Sequence, residues 1–303
     1  EDWNNGHEGT AAGRAVPAIL GMVGGVGWFG RGTKLLKSLR VPRLPVNAQR
    51  AAETAADQAA DAARRGDVDM ARAAADTADD EARAVEKAAA ENPTAENKEA
   101  AAKARQAADE ADSVVLDADV RAVLRKSELG AKASRIIWMY GVTVVYHQGG
   151  GTFFRPPREI HVGVRPGDTE GWHAAGLAHE SFHVEGWHTG KSVNGLADRM
   201  GRKEWVDAMV EEEAGATARE MEVIRELRQQ GEQIREHPLE KTYFEAFEEA
   251  VRQGGDGAQA GTEALLEAFR SGRALSHTGE PYADTYGRHW DEINSPSAKG
   301  PGK

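Results

Sequence analysis

The 303-residue chain contains no cysteine. Disulfides, cysteine-ligated zinc sites and thiol catalysis are therefore excluded. The compartment stays open, because exported proteins can also lack cysteine. Aromatic residues make up only 6% of the chain, and residues 47–117 lack them altogether, so a core in that stretch must be built from small side chains. Basic residues are in the minority, 38 Lys and Arg against 49 Asp and Glu, for a net charge of −11. That balance excludes a broad electrostatic footprint for nucleic acid. A long apolar run is also missing. The nearest, residues 15–29 (AVPAILGMVGGVGWF), is short for a membrane span, rich in glycine and interrupted by Pro17. Packing against the remainder of a larger parent protein is the preferred reading of it; membrane contact or a role in translocation is the alternative. The chain opens at Glu1 rather than methionine and reads as a piece of something longer.

Four stretches differ in character. Residues 1–46 comprise the apolar, glycine-rich segment and an extended Pro-containing linker. Residues 47–117 are an alanine-rich helical spacer, in which Ala51, Ala52, Ala55, Ala56, Ala59, Ala60 and Ala63 form a narrow seam at helical spacing. Breaks at Gly66-Asp67 and Asn92-Pro93-Thr94 divide it into three helices, or a hairpin with an extra turn. Residues 118–294 are globular in composition, and residues 295–303 read as a disordered tail. The fold class is α+β, mostly α. Val120, Val123, Leu124, Leu129, Ala133, Ile136 and Ile137 predict one amphipathic helix ending near Gly141. Residues 142–146 and 158–164 predict strands, with a return strand from Phe153. The glycines at 149–151 mark a turn and not a phosphate loop, since no G-K-[S/T] or dinucleotide pattern surrounds them. Further helices are predicted over residues 203–230, 239–252 and 261–270.

Within the globular part, His179-Glu180-Ser181-Phe182-His183 reads H-E-x-x-H. Histidines four apart lie on one helix face and can turn a ring nitrogen toward one metal ion. The glutamate beside the first histidine then lies close enough to take a proton from a bound water. His179 and His183 are thus candidate zinc ligands and Glu180 the candidate general base. A catalytic zinc has three protein ligands and one open position. The third is not at the histidine offset of the pattern H-E-x-x-H-x-x-G-x-x-H, where Thr189 stands and His188 falls one residue short. The alternative is a glutamate from a later helix. In Glu211-Glu212-Glu213, thirty residues on, Glu213 shares a stripe with Val206, Val210, Thr217, Met221 and Ile224, and a carboxylate on an apolar stripe needs a buried partner such as a metal. Glu213 is chosen, with Glu212 and His188 as runners-up. Tyr282, Tyr286 and His289 in the polar, aromatic C-terminal stretch are candidates to stabilise an oxyanion, Tyr286 and His289 foremost. The strand at 158–164 is a candidate for pairing with an extended substrate, which would bring His161 near the site.

In this order, Tyr140-Gly141 and a strand, the glycine turn, the Ile160-His161-Val162 strand, the H-E-x-x-H helix and the Glu-Glu-Glu213-Ala helix resemble minimal zincin-like metallopeptidase domains. These include IrrE/ImmA-type gluzincins and, more closely, the metallopeptidase domains at the C-termini of bacterial polymorphic toxins. No helix-turn-helix module of the kind that accompanies the regulatory peptidases is found. The resemblance implies a small antiparallel sheet beside two ligand-bearing helices, a Zn2+ cofactor and an endopeptidase. It implies the effector part of a larger protein, secreted or injected into a target cell, with a protein substrate there and a cognate immunity protein. A protease that processes its own parent chain, and a non-enzymatic, metal-stabilised helical interaction module, are the other expectations.

Overall fold

The computed structural model describes residues 45–276 and 279–295; the apolar stretch at 15–29, the linker up to residue 44 and the tail after residue 295 lie outside them. The chain divides into two compact units between Asp112 and Ser113. Three helices open it: α1 (Pro45–Arg64), α2 (Val68–Glu91) and α3 (Ala95–Leu124), and the division falls inside α3. Asp67 caps α2 by accepting the Met70 amide, and Thr94 accepts the Asn97 amide at the start of α3, so the polar breaks act as helix starts. In α1 the buried positions are Ala48, Ala52, Ala55, Ala59 and Ala62. This is a narrower seam than the sequence reading, with the alternating four- and three-residue steps of a heptad. Val85 is the one buried apolar residue larger than alanine among the described residues of this unit.

The second unit departs from the expected single helix at 120–137. The chain breaks after Leu124 and restarts as α4 (Glu128–Met139). Ser127 caps α4 by accepting the Gly130 amide at 2.8 Å, and its own hydroxyl donates to Glu226 at 2.7 Å. Gly130 lies so close to Leu124 that a β-carbon there would sit 2.1 Å from the Leu124 carbonyl oxygen; no continuous helix brings those groups together.

Three strands follow, β1 (Thr143–Gln148), β2 (Phe153–Arg155) and β3 (Glu159–Val164), in the order β1-β3-β2. The sheet is mixed and not antiparallel as expected: β3 runs parallel to β1 and antiparallel to β2. The glycine turn therefore does not close a β1–β2 hairpin. It passes over the end of β3, where the Gly149 amide donates to the Val164 carbonyl. A β-carbon on Gly163 would lie 2.6 Å from the Gly149 carbonyl oxygen. As the central strand, β3 pairs with β1 along its whole length and with β2 over residues 159–161, which leaves only residues 162–164 of the expected edge open to a substrate; the outer strands are β1 and β2. Ile160 and Val162 face the core, and His161 turns to the opposite face and stacks on Phe153 at 4.8 Å.

Two long helices come next, α5 (Glu170–Thr189) and α6 (Arg202–Gln229). Thr169 caps α5 and Gly190, in the left-handed conformation, ends it. The sheet, α4 and the end of α3 pack on one cluster with Leu177, Ala178, Val184, Val223 and Leu227. The remaining helices, α7 (Glu240–Arg252), α8 (Gly257–Arg270) and α9 (Tyr282–Asn294), pack on a second, with Trp205, Val210, Met221, Ile224, Tyr243 and Phe269. Helix α8 starts earlier than the predicted residue 261, because Asp256 caps it by accepting the Gln259 amide. Helix α9 was not predicted.

Between α6 and α7 the chain forms a strap, residues 231–239. Thr169 donates to the Gln233 carbonyl at 2.7 Å, and Arg228 donates to the carbonyls of Ile234 and Arg235. Ile234 lies over Gly171, where a β-carbon would be 2.7 Å from its side chain.

Candidate metal centre

Helices α5 and α6 meet through small residues. A β-carbon on Gly215 would lie 2.6 Å from the Phe182 ring. On this close crossing His179 and His183, one turn apart on α5, face Glu213 of α6, which is 7% exposed. The two Nε2 atoms are 3.3 Å apart, and the Glu213 carboxylate oxygens lie 3.4 Å from His179 Nε2 and 3.6 Å from His183 Nε2. Around a tetrahedral centre with bonds of about 2.0–2.1 Å, ligand atoms are separated by roughly 3.3–3.4 Å. One Glu213 oxygen faces each ring, and the three side chains form a group that could hold a metal ion.

The outward nitrogens are also held. His179 Nδ1 is 3.1 Å from Glu220, and His183 Nδ1 is 2.8 Å from Glu212. A carboxylate on the far nitrogen is the usual support of a metal-bound imidazole, because it fixes the tautomer that leaves Nε2 free. Glu212, a runner-up for ligand, thus stands behind His183 instead of beside Glu213. His188 is elsewhere, bonded to the Pro157 carbonyl at 2.9 Å and stacked on Tyr140 at 4.3 Å. Tyr286 donates to Glu213, so its hydroxyl orients the carboxylate. His289 packs on Trp205 with Glu292 as its charged neighbour. Tyr282 lies within electrostatic reach of Glu213, Glu180 and Glu220.

The charge of the site calls for a cation. Burial opposes protonation of His179 and His183, yet the surrounding carboxylates outweigh it, Glu213 and Glu220 for the first and Glu213 and Glu212 for the second. The proton affinity of both rings is raised. Two imidazolium rings with Nε2 atoms 3.3 Å apart would point two hydrogens at each other, so a single shared cation satisfies the site better than two protons. Burial also resists the charge on Glu213, but His183, His179 and Tyr286 hold its carboxyl down at about 2. Glu180 is 4% exposed and behaves in the opposite way: burial pushes its carboxyl up, against the pull of the two histidines.

Sequence reading missed Glu220. Glu220 lies seven residues past Glu213, on the same α6 stripe and also buried, so the signal that selected Glu213 was present there too. Compared with protein-family models, curated proteins and solved structures, the chain matches none.

Proposed function

We propose that the chain is a zinc-dependent endopeptidase. The observation that carries this reading is the His179–His183–Glu213 triangle with the buried carboxyl of Glu180 next to a ligand on the same helix. Two imidazoles and a carboxylate at these separations suit zinc. When bound, the ion supplies Lewis acidity and brings the pKa of a ligated water to about 7. Glu180, its proton affinity raised by burial, takes the proton from the attacking water and passes it to the leaving amine. Tyr286 and Glu212 keep Glu213 and His183 in place. Tyr282 is the donor to the developing oxyanion. Strand β2, an outer strand with Phe154 beside Glu180, is where an extended peptide pairs.

The biological setting proposed is the toxin part of a larger secreted bacterial protein, acting on a protein of a target cell and matched by an immunity protein. Its support is the resemblance of the ordered motifs. The test is N-terminal proteomics on cells expressing the wild-type or the Glu180→Gln protein. New protein N-termini should arise with the wild type alone. Identical sets from two zinc-loaded proteins would end the enzyme reading in favour of a metal-stabilised interaction module. New termini confined to the parent chain would replace the toxin reading with self-processing.

A further inference from the structure

We propose that His188 is a positioning residue of the substrate strand, holding β2 against α5 through the Pro157 carbonyl. The inference rests on the peptidase reading and extends it to a histidine that the metal group leaves out. Strand β2 meets α5 at both of its ends. At the first, a β-carbon on Gly176 would lie 3.6 Å from the side chain of Thr152, the residue before β2. At the second, His188 Nε2 is 2.9 Å from the carbonyl oxygen of Pro157, just past β2. From Gly176 to His188 the helix rises about 18 Å at 1.5 Å per residue. From Thr152 to Pro157 an extended chain spans roughly 16–17 Å at 3.3 Å per residue. The lengths agree, so β2 runs beside α5 in the same direction and passes the whole of the His179–His183 segment. Phe154, at its middle, is buried in the cluster that takes in Leu177, Ala178 and Val184 of α5.

The strand needs this tie because its ladder is short. It pairs with β3 over Phe153–Arg155, and the Pro156 and Pro157 that follow carry no backbone N–H to extend the pairing. A carbonyl oxygen only accepts, so His188 carries a proton on Nε2 and donates it to Pro157. Tyr140 holds the ring in that direction, stacked on it at 4.3 Å with the planes 4° apart. Tyr140 stands at the C-terminal cap of α4, so one imidazole joins α4, α5 and the turn after β2. A peptide that adds to the outer edge of β2 then meets a strand whose place along the H-E-x-x-H segment is already set, and no binding energy goes into ordering it.

The competing explanation is that His188 only packs on Tyr140 at the surface. His188→Phe keeps the stack and loses the donor, whereas His188→Gln keeps an amide N–H near the Nε2 position and loses the ring. The first measurement needs no substrate: hydrogen exchange of the full chain, for wild type and both variants. In His188→Phe the Phe153–Arg155 segment should exchange roughly 5-fold faster, the factor that one ordinary hydrogen bond represents. In His188→Gln it should exchange at the wild-type rate. Wild-type exchange in His188→Phe overturns the proposal, as does equal acceleration in both variants, which marks a packing role. Zn2+ titration should give wild-type affinity for both variants; weaker binding in His188→Phe overturns the proposal by placing the effect at the metal group. The second measurement is cleavage of a synthetic peptide spanning a site found by the N-terminal proteomics. Strand pairing binds substrate and transition state alike, so His188→Phe should raise KM about 5-fold and leave kcat unchanged. A fall in kcat at unchanged KM overturns the proposal. If wild type cleaves nothing, the peptidase reading falls and takes the substrate role with it, while the exchange result still shows whether the bond holds β2.

Discussion

Glu212 and Glu213 are neighbours in the chain, but each touches a different atom of the site. The Glu213 carboxylate faces the two Nε2 atoms, and Glu212 sits on the far nitrogen of His183. Truncation should separate them. Glu213→Ala removes a ligand and should lose metal beyond the roughly 100-fold limit of outer partners, Glu212→Ala should weaken it about 10–100-fold, and His188→Ala should leave it unchanged. Metal content after dialysis against a graded chelator reads all three. The histidines also predict a pH dependence. Their folded proton affinity is raised above the ordinary 6.5. The stability they contribute is complete below that pH and is lost as pH rises through the folded value. Metal-free protein should therefore melt at a falling temperature as pH is raised from about 6.5. With metal bound the fall should vanish, because the ion takes the deprotonated rings. A flat metal-free profile would contradict the charge arrangement.

Helices α5 and α6 carry the His179–His183–Glu213 group, and their approach depends on what is missing from Gly215. With Phe182 occupying that space and Arg219 lying 4.9 Å over its ring, a larger residue must part the helices. Gly215→Val should cost about 1–3 kcal/mol, read from urea unfolding, and should reduce metal affinity along with stability. Existence and type of these helices were legible in the chain: the stripe through Val206, Val210, Glu213, Thr217, Met221 and Ile224 is buried throughout. Helix α9 was legible in part, since Tyr282, Tyr286, Trp290 and Ile293 recur at helical spacing behind Pro281. Its polar residues interrupt that spacing and mask the periodicity. The break before α4 was not legible, because it follows from Gly130 meeting the Leu124 backbone and Glu226 receiving Ser127 from 99 residues away.

The two compact units have different cores. Among the described residues of the first, the buried apolar side chains are alanines and Val85; the second buries Trp205, Tyr243, Phe269 and many branched aliphatics. Buried area sets the apolar contribution to stability, at roughly 25 cal/mol per Å2, so alanine seams hold their helices with less per residue. The metal group lies wholly in the second unit, and a ligand stabilises only what unfolds with its site. Hydrogen exchange with and without Zn2+ should therefore slow the amides of α5 and α6 and leave those of α1 and α2 at their rates. Among the described residues no helix is long and apolar enough to cross a membrane.

Local information was enough for the His179–Glu180–His183 pattern, the alanine-rich helices, the capping breaks and the place of Glu213 on a buried stripe. Each depends on spacing along one helix or on the preference of a short segment, and spacing is a property of the chain. The mixed sheet, the contacts of Glu212 and Glu220 with the outer histidine nitrogens and the bond from Tyr286 to Glu213 depended on folding. These are contacts between residues 29 to 73 positions apart, or a strand inserted between two others. No periodicity records which atom of an imidazole a distant carboxylate will meet. That is decided when α5 and α6 close over Gly215.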